Sequence, residues 1–201
     1  MVAKFIFMRH GEAEHNVAFK TDGEAAYQNP TYRDAKLTDR GVNQCNETAE
    51  TLSRETIERF DAVYTSPLTR CIQTALLVRQ WIDYENFNAA DELIERRGGG
   101  HVCNARRTRT EIDAEFSAHG LNCSLLAETD EEWDIREPMT FVESRLIIFL
   151  RGLVGLYEAS ENANILVVTH HDVLYTLLVG TSLDNAETFV LDLDELKELI
   201  Y

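Results

Sequence analysis

The chain has 201 residues, of which 44% are hydrophobic and 27% charged, the balance of an ordinary globular protein long enough to bury a full core. Its formal net charge of −16 argues against nucleic acid and anionic membrane surfaces as partners, since both repel an acidic surface. No apolar run reaches the roughly 18 residues of a membrane span. The four cysteines form no CxxC pair, and the N-terminus runs into a strand and charged residues instead of a secretory signal, so reduced thiols and a cytoplasmic location are expected.

Lys4-Phe5-Ile6-Phe7-Met8 reads as a short apolar strand, with Arg9, His10 and Gly11 arriving where it ends. The carboxyl end of a strand in an open α/β sheet is where ligands sit. A histidine there can attack phosphorus, an arginine fork fits phosphate oxygens, and Gly11 lets the backbone come close. Residues 17–36 lose periodicity and read as a long loop over the strand end. Thr38 or Asp39 then caps a helix marked by Val42, Cys45, Ala49 and Leu52. A further helical turn is expected around 55–59, followed by a strand at Ala62-Val63-Tyr64. Pro67 suits the first turn of a helix over 68–81 whose core positions include Leu68, Cys71, Ile72 and Ala75. Arg70 falls in that first turn, where free N–H groups and the helix dipole favour an anion.

Residues 87–89 suggest another strand, leading to Leu93-Ile94-Glu95. The segment 96–109 is a basic island in an acidic chain: Arg96, Arg97, Arg106, Arg107 and Arg109 with no acid among them, and three glycines at 98–100. Two readings stay open, a grip on a second anionic group of a substrate or plain neutralisation of acidic neighbours. Residues 111–137 read as irregular or partly helical. Pro138 opens a long helix with a stripe of Phe141, Val142, Leu146, Phe149, Leu150, Leu153 and Leu156. Ile165-Leu166-Val167-Val168 has the look of a parallel strand buried on both faces, ended by His170-His171. A helix over 173–179, an edge strand over 188–193 and a helix over 195–199 complete the chain. This alternation predicts one domain, 1–201, built as a three-layer αβα sandwich with a mostly parallel central sheet.

Such a sheet gathers Arg9, His10, Arg70 and His170 at one edge, two guanidinium groups and two imidazoles within reach of one phosphate. His10 needs one ring nitrogen free to attack, so its other nitrogen is expected to donate to a carbonyl near Gly11. His101-x-Cys103 and His119-x₃-Cys123 carry zinc-compatible side chains at a spacing that fits no common structural site, so neither a metal nor another cofactor is expected.

Four strings, in this order, carry a resemblance: Arg9-His10-Gly11-Glu12 with Asn16, Leu37-Thr38-Asp39-Arg40-Gly41, Ser66-Pro67-Leu68-Thr69-Arg70-Cys71-Ile72-Gln73-Thr74-Ala75, and Val167-Val168-Thr169-His170. Together they resemble the histidine phosphatase superfamily, the phosphoglycerate-mutase-like proteins. The resemblance implies a phosphohistidine at His10, phosphate contacts from Arg9, Arg70, His170 and Asn16, and a proton donor at Glu95, with nearby Glu92 as its competitor. Glu12 is expected to orient an arginine, and His171 to be structural or to support a neighbouring site residue. A small-molecule or peptide phosphomonoester is the implied substrate, and the oligomeric state stays unknown. Glycolytic mutases of the superfamily carry Gly-Leu-Asn-Lys soon after the acidic residue, whereas this chain reads Arg-Arg-Gly-Gly-Gly-His at 96–101. That departure favours phosphatase over mutase-type transfer; a non-catalytic phospholigand-binding protein is the third reading.

Overall fold

The computed structural model describes residues 2–55 and 57–201. In chain order the elements are β1 (Lys4–Arg9), α1 (Glu14–Asp22), α2 (Glu24–Gln28), α3 (Asp39–Arg54), β2 (Arg59–Thr65), α4 (Thr69–Val78) and β3 (Asp83–Ala90). They continue with α5 (Arg109–Phe116), β4 (Leu121–Leu125), α6 (Met139–Tyr157), β5 (Asn164–Thr169), α7 (His171–Leu177), β6 (Thr188–Asp192) and α8 (Leu193–Ile200). The six strands form one sheet in the order β4-β3-β2-β5-β1-β6, parallel throughout except for β6, which closes the edge antiparallel to β1.

Alternation along the strands divides the core. Ile6 and Met8 face one layer with Cys45, Ala49 and Leu52 of α3 and Ile72, Ala75 and Val78 of α4, while Phe5 and Phe7 face the other with Leu146, Leu150 and Leu153 of α6 and Leu196 of α8. The result is the expected three-layer α/β arrangement. No helix among the described residues is long and apolar enough to cross a membrane.

Local readings that differ have identifiable causes. Most of 17–36 is helical, because α1 and α2 bury only His15, Ala18 and Ala26 and so show no apolar stripe for periodicity to reveal. The helical turn expected over 55–59 is absent where it can be seen: Ile57 and Glu58 are irregular and Arg59 already belongs to β2, while Thr56 lies outside the described residues. Helix α4 begins two residues after Pro67 and ends at Val78. β4, unforeseen inside 111–137, is a short edge strand burying only Leu121 and Cys123. On α6, Phe141 and Leu156 are 64% and 66% exposed, so the buried stripe is narrower than the sequence suggests.

Candidate active site

The carboxyl ends of β1, β5 and β2 lie side by side, with the His10 N–H donating to Thr169 O at 3.0 Å and the Ser66 N–H to Val168 O at 3.0 Å. The turn after β1 is held by close packing. A Cβ on Gly11 would lie 2.6 Å from Cys45 Sγ and from Gly41 O, and one on Gly41 would lie 2.0 Å from Glu12 O. Thr38 caps α3 through the Gly41 N–H, and its hydroxyl donates to the Glu12 carboxylate at 3.1 Å. Glu12 also takes Lys20 at 2.7 Å and Arg40 at 3.3 Å, so it orients an arginine as expected, that arginine being Arg40.

His10 is 2% exposed. Its Nδ1–H donates to Gly11 O at 2.7 Å, the bond expected from the sequence, and its Nε2 accepts from Arg70 Nε at 3.3 Å. Burial first, then the Arg70 and Arg9 charges, hold the imidazole well below its ordinary pKa, so the ring is neutral. Arg70, 1% exposed, is the hub of the floor. Besides His10 it donates to Cys103 O at 2.8 Å, Asn104 Oδ1 at 3.0 Å and His170 Nδ1 at 3.3 Å. His170 is fully buried, donates from Nε2 to Ser66 Oγ at 2.7 Å, and sets its ring edge-on to His10 at 5.1 Å between centroids. Burial, followed by Arg70, keeps it neutral as well. Arg9 donates to Leu183 O at 2.6 Å.

These groups floor a cavity of about 700 Å³, into which Arg9, His10, Arg70, Asn16 and Glu95 all reach, while His170 supports the floor from below. Glu95 lies in the wall and Glu92 does not; Glu92 offers its backbone carbonyl to Arg145. Glu95 Oε1 accepts the Arg96 N–H at 2.8 Å, so its partner is backbone and not a guanidinium. Its pKa is raised, first by burial and then by the Asp172 carboxylate, against the pull of the Arg96 N–H, Arg70 and His171. Asp172 is held ionised by His171 at 2.8 Å and lies 3.8 Å from Arg96.

The Asn16 amide is engaged locally, its oxygen accepting the Ala13 N–H at 3.0 Å and its nitrogen donating to His15 Nε2 at 3.1 Å. His15, missed in the sequence, lines the cavity 6.2 Å from His10 between ring centroids. Burial and the two arginines bring its pKa to about 2. Its neighbour Asn16 was the available signal. Tyr27, on a helix read as loop, also lines the cavity, as does His171, which bonds Asp172 and Ser182.

The basic island divides. Arg106 pairs with Asp91 at 2.9 Å, Arg107 with Asp34 at 2.9 Å, and Arg109 with Glu128 at 3.2 Å, all away from this cavity. For these three the neutralising reading holds. Asp34 in turn receives the Thr69 N–H at 2.7 Å and the Thr69 hydroxyl at 2.6 Å, capping the helix that carries Arg70. Among the described residues no group of three His, Cys, Asp or Glu side chains is placed to hold a metal. His101 pairs with Glu24 at 3.1 Å.

The α/β fold thus brings strand-end imidazoles and guanidinium groups together at one open cavity. The model of the histidine phosphatase superfamily (branch 1) matches residues 5–201, and the chain belongs to that superfamily. It is 27% identical over 160 residues to a probable phosphoglycerate mutase of Arthroderma benhamiae, covering 69% of this chain and 47% of that protein. It is 28% identical over 204 residues to a phosphoglycerate mutase-like protein of Arabidopsis thaliana, covering 85% and 72%. The chain thus spans about half the length of the first relative and nearly three quarters of the second. Its fold is similar to that of the ecdysone phosphate phosphatase of Bombix mori, solved in complex with tungstate, with a TM-score of 0.67, 14% identity and coverage of 94% and 88%.

Proposed function

We propose that this chain is a phosphomonoesterase that works through a phosphohistidine at His10, with neither metal nor organic cofactor, on a small-molecule or peptide phosphomonoester in the cytoplasm. The observation that carries the reading is the state of His10: one nitrogen tied to Gly11 O, the other bearing its lone pair toward Arg70 at the cavity floor, the ring neutral. A neutral imidazole in this tautomer is a nucleophile that needs no activating base.

Arg70 and Arg9 take the phosphoryl oxygens, and their charge offsets the negative charge spread over those oxygens in the transition state. The His10 Nε2–P bond forms as the ester P–O bond breaks, and Glu95, its pKa raised by burial and by Asp172, gives its proton to the departing alcohol oxygen. Water then attacks phosphorus, Glu95 takes a proton from it, and the P–N bond breaks to free inorganic phosphate. His170 fixes Arg70 through Nδ1 and steadies the second face of the His10 ring.

The test is release of inorganic phosphate from an aryl phosphate in excess chelator. The wild type turns over under these conditions and His10→Ala does not. Equal turnover by the two proteins, or activity appearing only with added metal, contradicts the proposal. Phosphate moved to an acceptor alcohol with little hydrolysis indicates a mutase.

A further inference from the structure

Unpaired polar atoms inside the molecule gather in one place. Among the described residues four buried side-chain nitrogen or oxygen atoms have no hydrogen-bond partner: Arg9 Nε, His15 Nδ1, Asp91 Oδ1 and Arg106 Nε. The last two still have company, since Arg106 Nε and Asp91 Oδ1 face each other as an ion pair at 2.9 Å. That leaves Arg9 and His15, whose side chains both line the cavity of His10. A buried polar group without a partner is costly and calls for one that arrives later, a ligand or a water. Arg9 already has a place in the phosphate reading. His15, 5% exposed, has none.

The proton on His15 can be located from its neighbours. His15 and Asn16 stand in the first turn of α1, whose start is tied down by the Glu14 N–H on Lys36 O at 3.0 Å and by the bridge between Ala13 and Leu37. Asn16 Oδ1 accepts the Ala13 N–H at 3.0 Å, which leaves the amide nitrogen for His15. An amide nitrogen only donates, so their 3.1 Å contact makes His15 Nε2 an acceptor. The ring is neutral, and its one proton is therefore on Nδ1, the atom without a partner. Tyr27 packs on the ring at 5.6 Å between centroids and is itself stacked on Phe19 at 4.8 Å, so the imidazole is held in place. The cavity thus carries a fixed N–H donor with nothing to donate to.

We propose that His15 binds the substrate: its Nδ1–H donates to a phosphoryl oxygen of the ester held at His10, whose ring lies 6.2 Å away between centroids. Asn16 is a positioning residue that acts through His15 by keeping the proton on Nδ1. The inference rests on the phosphatase reading for the place of the phosphate and adds to it a neutral donor beside the two guanidinium groups.

Heteronuclear NMR of histidine-labelled protein reads both parts. In wild type, His15 should show a protonated Nδ1 and an unprotonated Nε2, and saturating inorganic phosphate should move the Nδ1–H proton downfield as the new hydrogen bond forms. Asn16→Ala should let the proton spread over both nitrogens. His15→Phe, which keeps a ring against Tyr27, should lower kcat/KM for an aryl phosphate and affinity for inorganic phosphate by roughly tenfold to a hundredfold, the worth of one hydrogen bond to an anion. His15→Asn, which returns an N–H donor, should restore part of both. A proton on Nε2 in wild type, an Nδ1–H signal that stays put when phosphate binds, or a His15→Phe protein with wild-type kcat/KM and affinity overturns the His15 contact. A shifted signal in a protein that releases no phosphate from esters overturns only the phosphatase reading.

Discussion

The floor of the cavity and its arginine-rich wall are both cationic, but they hold their charges differently. Arg70 in the floor is satisfied by neutral acceptors, two imidazole nitrogens, a carbonyl and an amide, so no carboxylate cancels its charge there. Arg97 in the wall is buried against two carboxylates, Asp130 at 3.0 Å and Glu137 at 3.9 Å. A guanidinium fixed by neutral partners is available to an incoming anion, while one fixed by carboxylates is architecture. The number of arginines near a site is therefore a poorer guide to function than the identity of their acceptors.

The contrast can be broken by substitution, beginning in the floor. His10→Ala should reduce phosphate release from an aryl phosphate by on the order of 10⁴-fold or more, as expected when a nucleophile that acts with its partners as a unit is removed. Arg70→Lys should cost roughly 10²–10³-fold in kcat, because a lysine supplies the charge without the fork that spans His10, Asn104 and His170. Recovery of near wild-type kcat in that variant would place the weight on charge alone.

Glu95→Gln should lower kcat by roughly 10²–10⁴-fold for an alkyl phosphate, which needs a protonated leaving group, and far less for a nitrophenyl phosphate, which leaves unaided. The pH profile sharpens this. Glu95 must be protonated to act and its pKa is raised, so kcat for alkyl phosphates should fall on the alkaline side as Glu95 ionises. Asp172→Asn removes a negative neighbour, lowers the Glu95 pKa and should move that alkaline limb toward lower pH. A limb that stays put would separate Asp172 from the proton donor.

Among the carboxylate-paired arginines outside the cavity the effects should fall on stability. Arg107→Ala leaves Asp34 buried without its cation and should cost about 3 kcal/mol in denaturant unfolding. Because Asp34 caps the helix bearing Arg70, a modest loss of kcat should accompany it, smaller than that of any floor variant. A kinetic effect as large as that of Arg70→Lys would erase the distinction between arginines held by neutral acceptors and those held by carboxylates.

Much of this was legible in the chain. Continuous apolar runs at 4–8 and 165–168 gave the central strands, since a parallel strand buried on both faces has no polar positions to hide it. The strand ends then placed Arg9, His10 and His170, and the tautomer-setting bond to Gly11 follows from chemistry alone. Helices α1 and α2 were invisible because they pack through alanine and histidine, not through an apolar stripe. The strand β4, the exposed Phe141, and the separation of Arg106 and Arg107 from the cavity all depend on tertiary partners. No spacing rule states that Arg107 will find Asp34 across 73 positions, or that Gly98 will meet Arg136.

The central claim is the covalent one. Protein mixed with a phosphorus-labelled monoester, quenched within the turnover time and mapped by mass spectrometry under alkaline conditions should carry one acid-labile phosphoryl group, on His10 Nε2. Full turnover with no trapped label in wild type, or label on any other side chain, would contradict it.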